Sequence, residues 1–172
     1  DIQKLIDDPK MTIILLENPP YSDTSASDFV IDGDSSNKQK TTRKDTYVAQ
    51  EYKKSIGELN EKKGSNREIS NLFIWSAFKY YLRQETDSYI VFSPAKYWKV
   101  HHLINKEFLN GFAFNRKHFH TNIEACIMCA LWANKNLALN EIKIEAFDIK
   151  NDELLNQGFL NISRIHDTFS KR

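Results

Sequence analysis

The sequence predicts an α/β fold, a mixed β-sheet with flanking helices, and three observations carry that expectation. Residues 11–16 are an Ile/Leu-rich run closed by Pro19-Pro20, the pattern of a buried strand in a parallel sheet. Residues 70–83 have helical periodicity and lead into a second apolar run at 88–92. Residues 112–120 and 124–133 then read as two adjoining strands joined through Thr121-Asn122, an antiparallel pair.

Taken in order, residues 1–10 are short and polar, the end of a helix punctuated by Pro9. The first strand spans 11–17. Residues 22–68 form a polar insertion whose early part, around Asp32-Gly33-Asp34, reads as loop or disorder. Its later part, 45–62, sets Tyr47, Val48, Tyr52, Ile56 and Leu59 at near-helical spacing. An insertion of this length is either functional or disordered. Ser70 is the expected N-cap of helix 70–83, which is apolar nearly all round. Strand 88–92 ends at Ser93-Pro94. Residues 97–109 are expected to form an amphipathic helix on Val100, Leu103, Ile104 and Phe108, with Gly111 near its C-terminal end. Residues 141–149 alternate apolar and charged side chains, as a half-exposed strand does. The division expected is a main unit over 1–140 and a C-terminal extension over 141–172.

A chain of 172 residues suits one domain with a hydrophobic core. No stretch reaches the roughly 20 apolar residues of a membrane span, and no signal-peptide pattern is present, so no membrane partner and a cytoplasmic location are expected. The opening on Asp1 rather than Met reads as a trimmed fragment of a longer chain. Net charge is only +1, which argues against indiscriminate nucleic-acid binding. Residues 38–67 and 96–120 are nonetheless locally basic, the second with His101, His102, His118 and His120. A DNA contact belongs in those stretches, although an ordinary solvated face has the same composition. Cys126 and Cys129 lie three apart in an apolar strand and so face opposite sides. They read as buried structural thiols, and no metal site is expected.

The chemistry is concentrated at Asn18-Pro19-Pro20-Tyr21, a tetrapeptide with chance odds on the order of one in a thousand in such a chain. Two successive prolines fix the backbone and remove two donors, so the carbonyls of Asn18 and Pro19 are held as outward acceptors. Asn18 adds a carboxamide oxygen, and Tyr21 adds an aromatic face with a polar tip. Two acceptors beside a flat ring suit a planar group bearing an amine, such as the exocyclic amine of adenine. Hydrogen bonds to both amine protons favour its pyramidal, nucleophilic form, and no separate general base is obligatory.

Placed after an apolar strand, Asn18-Pro19-Pro20-Tyr21 resembles motif IV of the N6-adenine-specific DNA methyltransferases of type II restriction–modification systems. The helix from Asn71 to Leu82, the strand Ser88 to Pro94 with Tyr97-Trp98 after it, and the Phe114 to Trp132 block resemble the elements that follow in that family. The resemblance covers residues 11–134, strongest at motif IV. It implies a partial Rossmann-like class I methyltransferase fold whose last strand runs antiparallel, with 1–140 as its catalytic half and 141–172 as the possible start of a target-recognition region. It implies catalytic roles for Asn18, Pro19, Pro20 and Tyr21, with Tyr21 and Phe119 stacking on the two faces of an adenine flipped from double-stranded DNA. Such stacking contributes roughly 1–3 kcal/mol per aromatic contact against an extrusion cost of a few kcal/mol.

The implied cofactor is S-adenosylmethionine, yet its main binding motif is absent. The five glycines, at 33, 57, 64, 111 and 158, do not cluster into a glycine-rich turn. The expectation is therefore a catalytic fragment, inactive alone, whose cofactor-binding half lies elsewhere in a parent chain. Two rivals stand beside it: a methyltransferase acting on an RNA base or a protein glutamine, and a non-catalytic DNA-binding or specificity module.

Overall fold

The computed structural model describes residues 2–19, 46–58, 69–99, 103–119 and 124–165, with the backbone alone for Ile2, residues 56–58, Ile69 and Phe119. Its strands are β1 (Ile14–Glu17), β2 (Ser88–Pro94), β3 (Lys106–Asn115), β4 (Cys126–Asn136), β5 (Glu141–Lys150) and β6 (Glu153–Ser163). They form one six-stranded sheet in the order β1-β2-β4-β3-β5-β6. Helices α1 (Ile2–Asp7), α2 (Tyr47–Glu58), α3 (Ile69–Ser76) and α4 (Lys96–Lys99) complete an α/β fold. Strand β1 is parallel to β2, and β4 is antiparallel to both β2 and β3. Strand β3 is parallel to β5, which forms a hairpin with β6. It follows that β1, β2, β3 and β5 all point the same way and end at one edge of the sheet.

Alternation along the strands sends one set of side chains into the core. Tyr89 and Val91 of β2 and Met128, Ala130 and Trp132 of β4 meet Ile74 of α3 and Tyr97 and Trp98 of α4. The centre is aromatic: Trp98 stacks on Trp132 at 6.4 Å and 24°, and Phe108 meets Trp132 edge-on at 5.2 Å. Each such pair adds about 1 kcal/mol beyond the area it buries. Ile142, Ile144 and Ile162 join the same core, so β5 and β6 continue it rather than standing apart. The Arg164 guanidinium covers Trp98 at 4.9 Å and donates to Asn105 Oδ1 and the Ile104 carbonyl.

Helix α2 forms within the stretch expected from its spacing, and Tyr52, 2% exposed, docks it on Leu72 and Trp75. Leu59 lies outside the described residues. Ser70 is not the cap of α3; it lies inside the helix and is buried. The helix continues into a π turn, Ala77–Tyr81, where the Leu82 N–H donates to the Ala77 carbonyl at 3.1 Å. That wider period keeps Ala77 and Leu82, five residues apart, both buried.

Two expectations are overturned in detail. Residues 97–109 are not one helix: α4 has four residues, and β3 has begun by Lys106. The apolar spacing is real, but it is met by two conformations, with Ile104 entering the core before the strand and Phe108 reaching Trp132 from within it. Gly111 sits inside β3, not at a helix end. The first strand is shorter than expected and lies at the sheet's edge, so it is not buried on both faces. Ile14 and Leu16 are 65% and 64% exposed, while Ile13 and Leu15 pack against the core.

The β5–β6 hairpin turns at Asn151 and Asp152, with φ of 52° and 62°. Two consecutive positive angles in a two-residue loop match the turn that follows strand twist, in which Asn-Gly is favoured. Asp152→Gly is expected to stabilise the protein by about 0.5 kcal/mol, because glycine adopts this region without a Cβ penalty. A rise in Tm of the purified variant checks it, and an unchanged or lower Tm contradicts it.

Candidate functional site

The common carboxyl edge of β1, β2, β3 and β5 is where open α/β sheets place their ligands, and the Asn-Pro segment leaves β1 there. Two interactions hold this short strand. At its entry, the buried carboxylate of Asp87 accepts backbone hydrogen bonds from Ile13 at 2.9 Å, Arg83 at 2.7 Å and Gln84 at 3.1 Å. Burial opposes ionisation of Asp87, but those three N–H donors and the Arg83 guanidinium outweigh it and hold the carboxyl below the usual carboxylate range. At its exit, the hydroxyl of fully buried Tyr89 donates to Glu17 Oε2 at 2.7 Å, fixing the residue before Asn18.

Asn18 is exposed directly beyond that anchor, and Pro19 is buried. Burying a proline leaves no backbone N–H to satisfy, so exposed Asn18 is followed by a residue packed into the protein. Pro20 and Tyr21 lie outside the described residues. Phe119 closes a 3₁₀ turn, Arg116–Phe119, that follows β3 at the same edge. Three strand spacings separate β1 from β3, or about 14 Å, and the position of the Phe119 ring lies outside what is described. Of the predicted residues, the structure therefore places Asn18 and Pro19 as a unit and the backbone of Phe119 on the same edge.

The 3₁₀ turn is tied to β5. His118 Nε2 is 2.7 Å from Asp148 Oδ1, and Lys117 Nζ is 4.0 Å from the same oxygen. The hydrogen bond to His118, with smaller help from the Ile149 N–H and the Lys117 charge, holds the Asp148 carboxyl below its usual range against the pull of burial. Lys96 follows β2, and Arg116 and Lys117 follow β3, so these three cations lie near this edge. Helix α4 instead turns back over the sheet, and the Lys99 carbonyl accepts from the Ile165 N–H beyond the end of β6. Lys106, at the start of β3, belongs to the opposite edge. Most of the basic stretch 38–67, together with His101, His102 and His120, lies outside the described residues.

The cysteines are free, with Cys126 exposed and Cys129 half-buried, which corrects the expectation of two buried thiols. Cys126 is the first residue of β4 and pairs with Asn115 at the carboxyl edge of β3. Among the described residues no group of three or more His, Cys, Asp and Glu is placed to hold a metal ion. No helix among them is long and apolar enough to cross a membrane.

Sequence reasoning missed Asp87 and Tyr89. Tyr89 carried one usable signal, its inward phase in the alternation of β2, whereas nothing local marks Asp87 as a partner of Ile13. No family model matches the chain, and no curated protein does.

Proposed function

We propose that this chain is the catalytic portion of an N6-adenine-specific DNA methyltransferase, working within a longer parent protein. The observation that carries the reading is the position of Asn18-Pro19 at the carboxyl end of a strand parallel to its neighbour, with the preceding residue fixed by Tyr89. The antiparallel strand β4 inserted between β2 and β3 supports it, because the resemblance implies a last strand of that direction. Lys96, Arg116 and Lys117 near the same edge supply charge where DNA phosphates would approach.

In this reading the Asn18 carboxamide oxygen and the Pro19 carbonyl accept the two protons of the adenine amine. Tyr21 stacks on the extruded base, and Phe119 approaches from the β3 side. The contribution of these residues is orientation, which by itself supplies several kcal/mol of a transfer barrier. S-adenosylmethionine would supply the methyl group. The described residues do not fit a cradle for it: Gly111 lies within β3 against β4, and Gly158 lies within β6, so neither forms a turn from strand to helix. The cofactor site is accordingly assigned to the rest of the parent.

The test follows labelled methyl from S-adenosylmethionine into DNA with the parent protein, wild type beside Asn18→Ala. N6-methyladenine from the wild type, reduced at least a thousandfold in the variant at unchanged Tm, is the expected result. Label in RNA or protein moves the chain to the alternative substrates. DNA binding without any methylation assigns it to the non-catalytic specificity modules.

A further inference from the structure

At the carboxyl ends of β3 and β5, on the far side of the sheet from β1, lies a hollow of about 430 Å³, within the size range of small-molecule sites. Three features of the chain create it. Strands β3 and β5 pair over only three residues, Phe112 to Phe114 against Glu145 to Phe147, and are unpaired beyond them. The floor is made of Ala113 and Ala146, which are small and buried. The third feature is a bulge in β6. Ala146 pairs with Gly158 and Phe147 with Asn156, which leaves Gln157 as an extra residue beside Gly158 at φ 87°. Bulges re-aim side chains, and Gln157 lines the hollow.

We propose that this hollow binds a nucleobase, at a site separate from the Asn18 motif. Its lining combines apolar surface from Ala113, Ala146 and Leu160 with the carboxamide of Gln157, the carboxylates of Glu124 and Asp148, and Asn115, whose Oδ1 already accepts from the Lys117 N–H at 3.1 Å. Asp148 is oriented by its 2.7 Å contact with His118. An apolar slot edged by the Gln157 amide fork and carboxylate acceptors matches a flat heterocycle with ring nitrogens and an exocyclic amine. Asn and Gln pair with adenine, and carboxylates accept from the cytosine amine. No Lys or Arg is among the described lining residues, and although Lys117 Nζ meets Asp148 at 4.0 Å, the Glu124 carboxylate disfavours a phosphate at this position. The base reaches the hollow either as a free nucleoside or as an unpaired base in a strand.

The experiment titrates a Cys129→Ser protein with adenosine, cytidine, their 5′-monophosphates and a short single-stranded oligonucleotide. The readouts are calorimetry and the rate at which maleimide modifies Cys126, which lines the hollow. Saturable slowing of Cys126 modification is expected, with nucleosides bound more tightly than their monophosphates. Slowing by nucleosides assigns the free source, and slowing by the oligonucleotide alone assigns the strand. Gln157→Ala, at an exposed position, is expected to weaken binding about fivefold, the size of one hydrogen bond. Ala146→Leu, which fills the floor, is expected to abolish it, with circular dichroism of both variants reporting the fold. No protection by any ligand, tighter binding of the monophosphates, or full protection retained in both variants overturns the proposal. Neither readout involves cofactor or methyl transfer, so the result is independent of the role assigned to Asn18.

Discussion

Asp87→Ala is expected to lower the unfolding free energy by about 4 kcal/mol, seen as a large fall in the urea midpoint. The substitution leaves the N–H groups of Ile13, Arg83 and Gln84 without their acceptor in a site that is fully buried in the native protein. Each orphaned donor costs roughly 1–3 kcal/mol unless water replaces the carboxylate. Asp87→Asn retains one acceptor oxygen and is expected to lose about half as much. The pH dependence has a definite sign. Because the folded carboxyl lies below its usual range, its contribution is present above the unfolded value of about 3.9 and is lost as pH falls through the lower folded value. In Asp87→Asn that acid limb of the stability profile should flatten. A midpoint within experimental error of wild type would remove Asp87 from its role as the anchor of β1.

Gly111→Ala is expected to cost about 3 kcal/mol, an unusual penalty for adding one methyl group. A Cβ at position 111 would lie 2.5 Å from the Cys129 carbonyl oxygen and 3.0 Å from the Ala130 Cα. Both are backbone atoms of β4 in the middle of the β3–β4 ladder, so relief requires the strands to part rather than a side chain to rotate. The pairing carries Phe108 against Trp132 a few residues away, so near-ultraviolet circular dichroism should change with the thermal midpoint. Tolerance of alanine to within 0.5 kcal/mol, a typical surface effect, would show that β4 yields easily.

The parts of the fold legible in the sequence were those with a strong local period. Strands β2, β4 and β5 announced themselves by apolar runs or alternation, and the mixed α/β sheet followed from their order. The strand expected over 112–120 instead runs over Lys106–Asn115 and gives way to the 3₁₀ turn Arg116–Phe119. The passage from α4 to β3 was misread because Val100, Leu103, Ile104 and Phe108 fit a helical period, while the close approach of β4 that demands Gly111 is set by residues 18 positions away. The β5–β6 hairpin was missed because its turn uses Asn151-Asp152 in place of the more telling Asn-Gly. At the candidate site, Asn18 and Pro19 were found because a rare tetrapeptide marks them. Their supports, Asp87 and Tyr89, act across more than seventy residues of sequence, and the inward phase of Tyr89 in β2 is the one local trace of either.

That separation gives the candidate site a distinct place in the energetics of chain closure. Every pair in the β1–β2 ladder joins residues 74 positions apart, as from Ile14 to Ser88, whereas β5 meets β6 across a two-residue turn. Loop-closure entropy that grows as the logarithm of length makes the first pairing costlier by about 3 kcal/mol. Four strand residues with half of their side chains in solvent recover little of that. The Asp87 carboxylate and the Tyr89 hydroxyl therefore act as fasteners on the longest closure among the five strand pairings of the described residues, and the motif's position at the sheet edge depends on them.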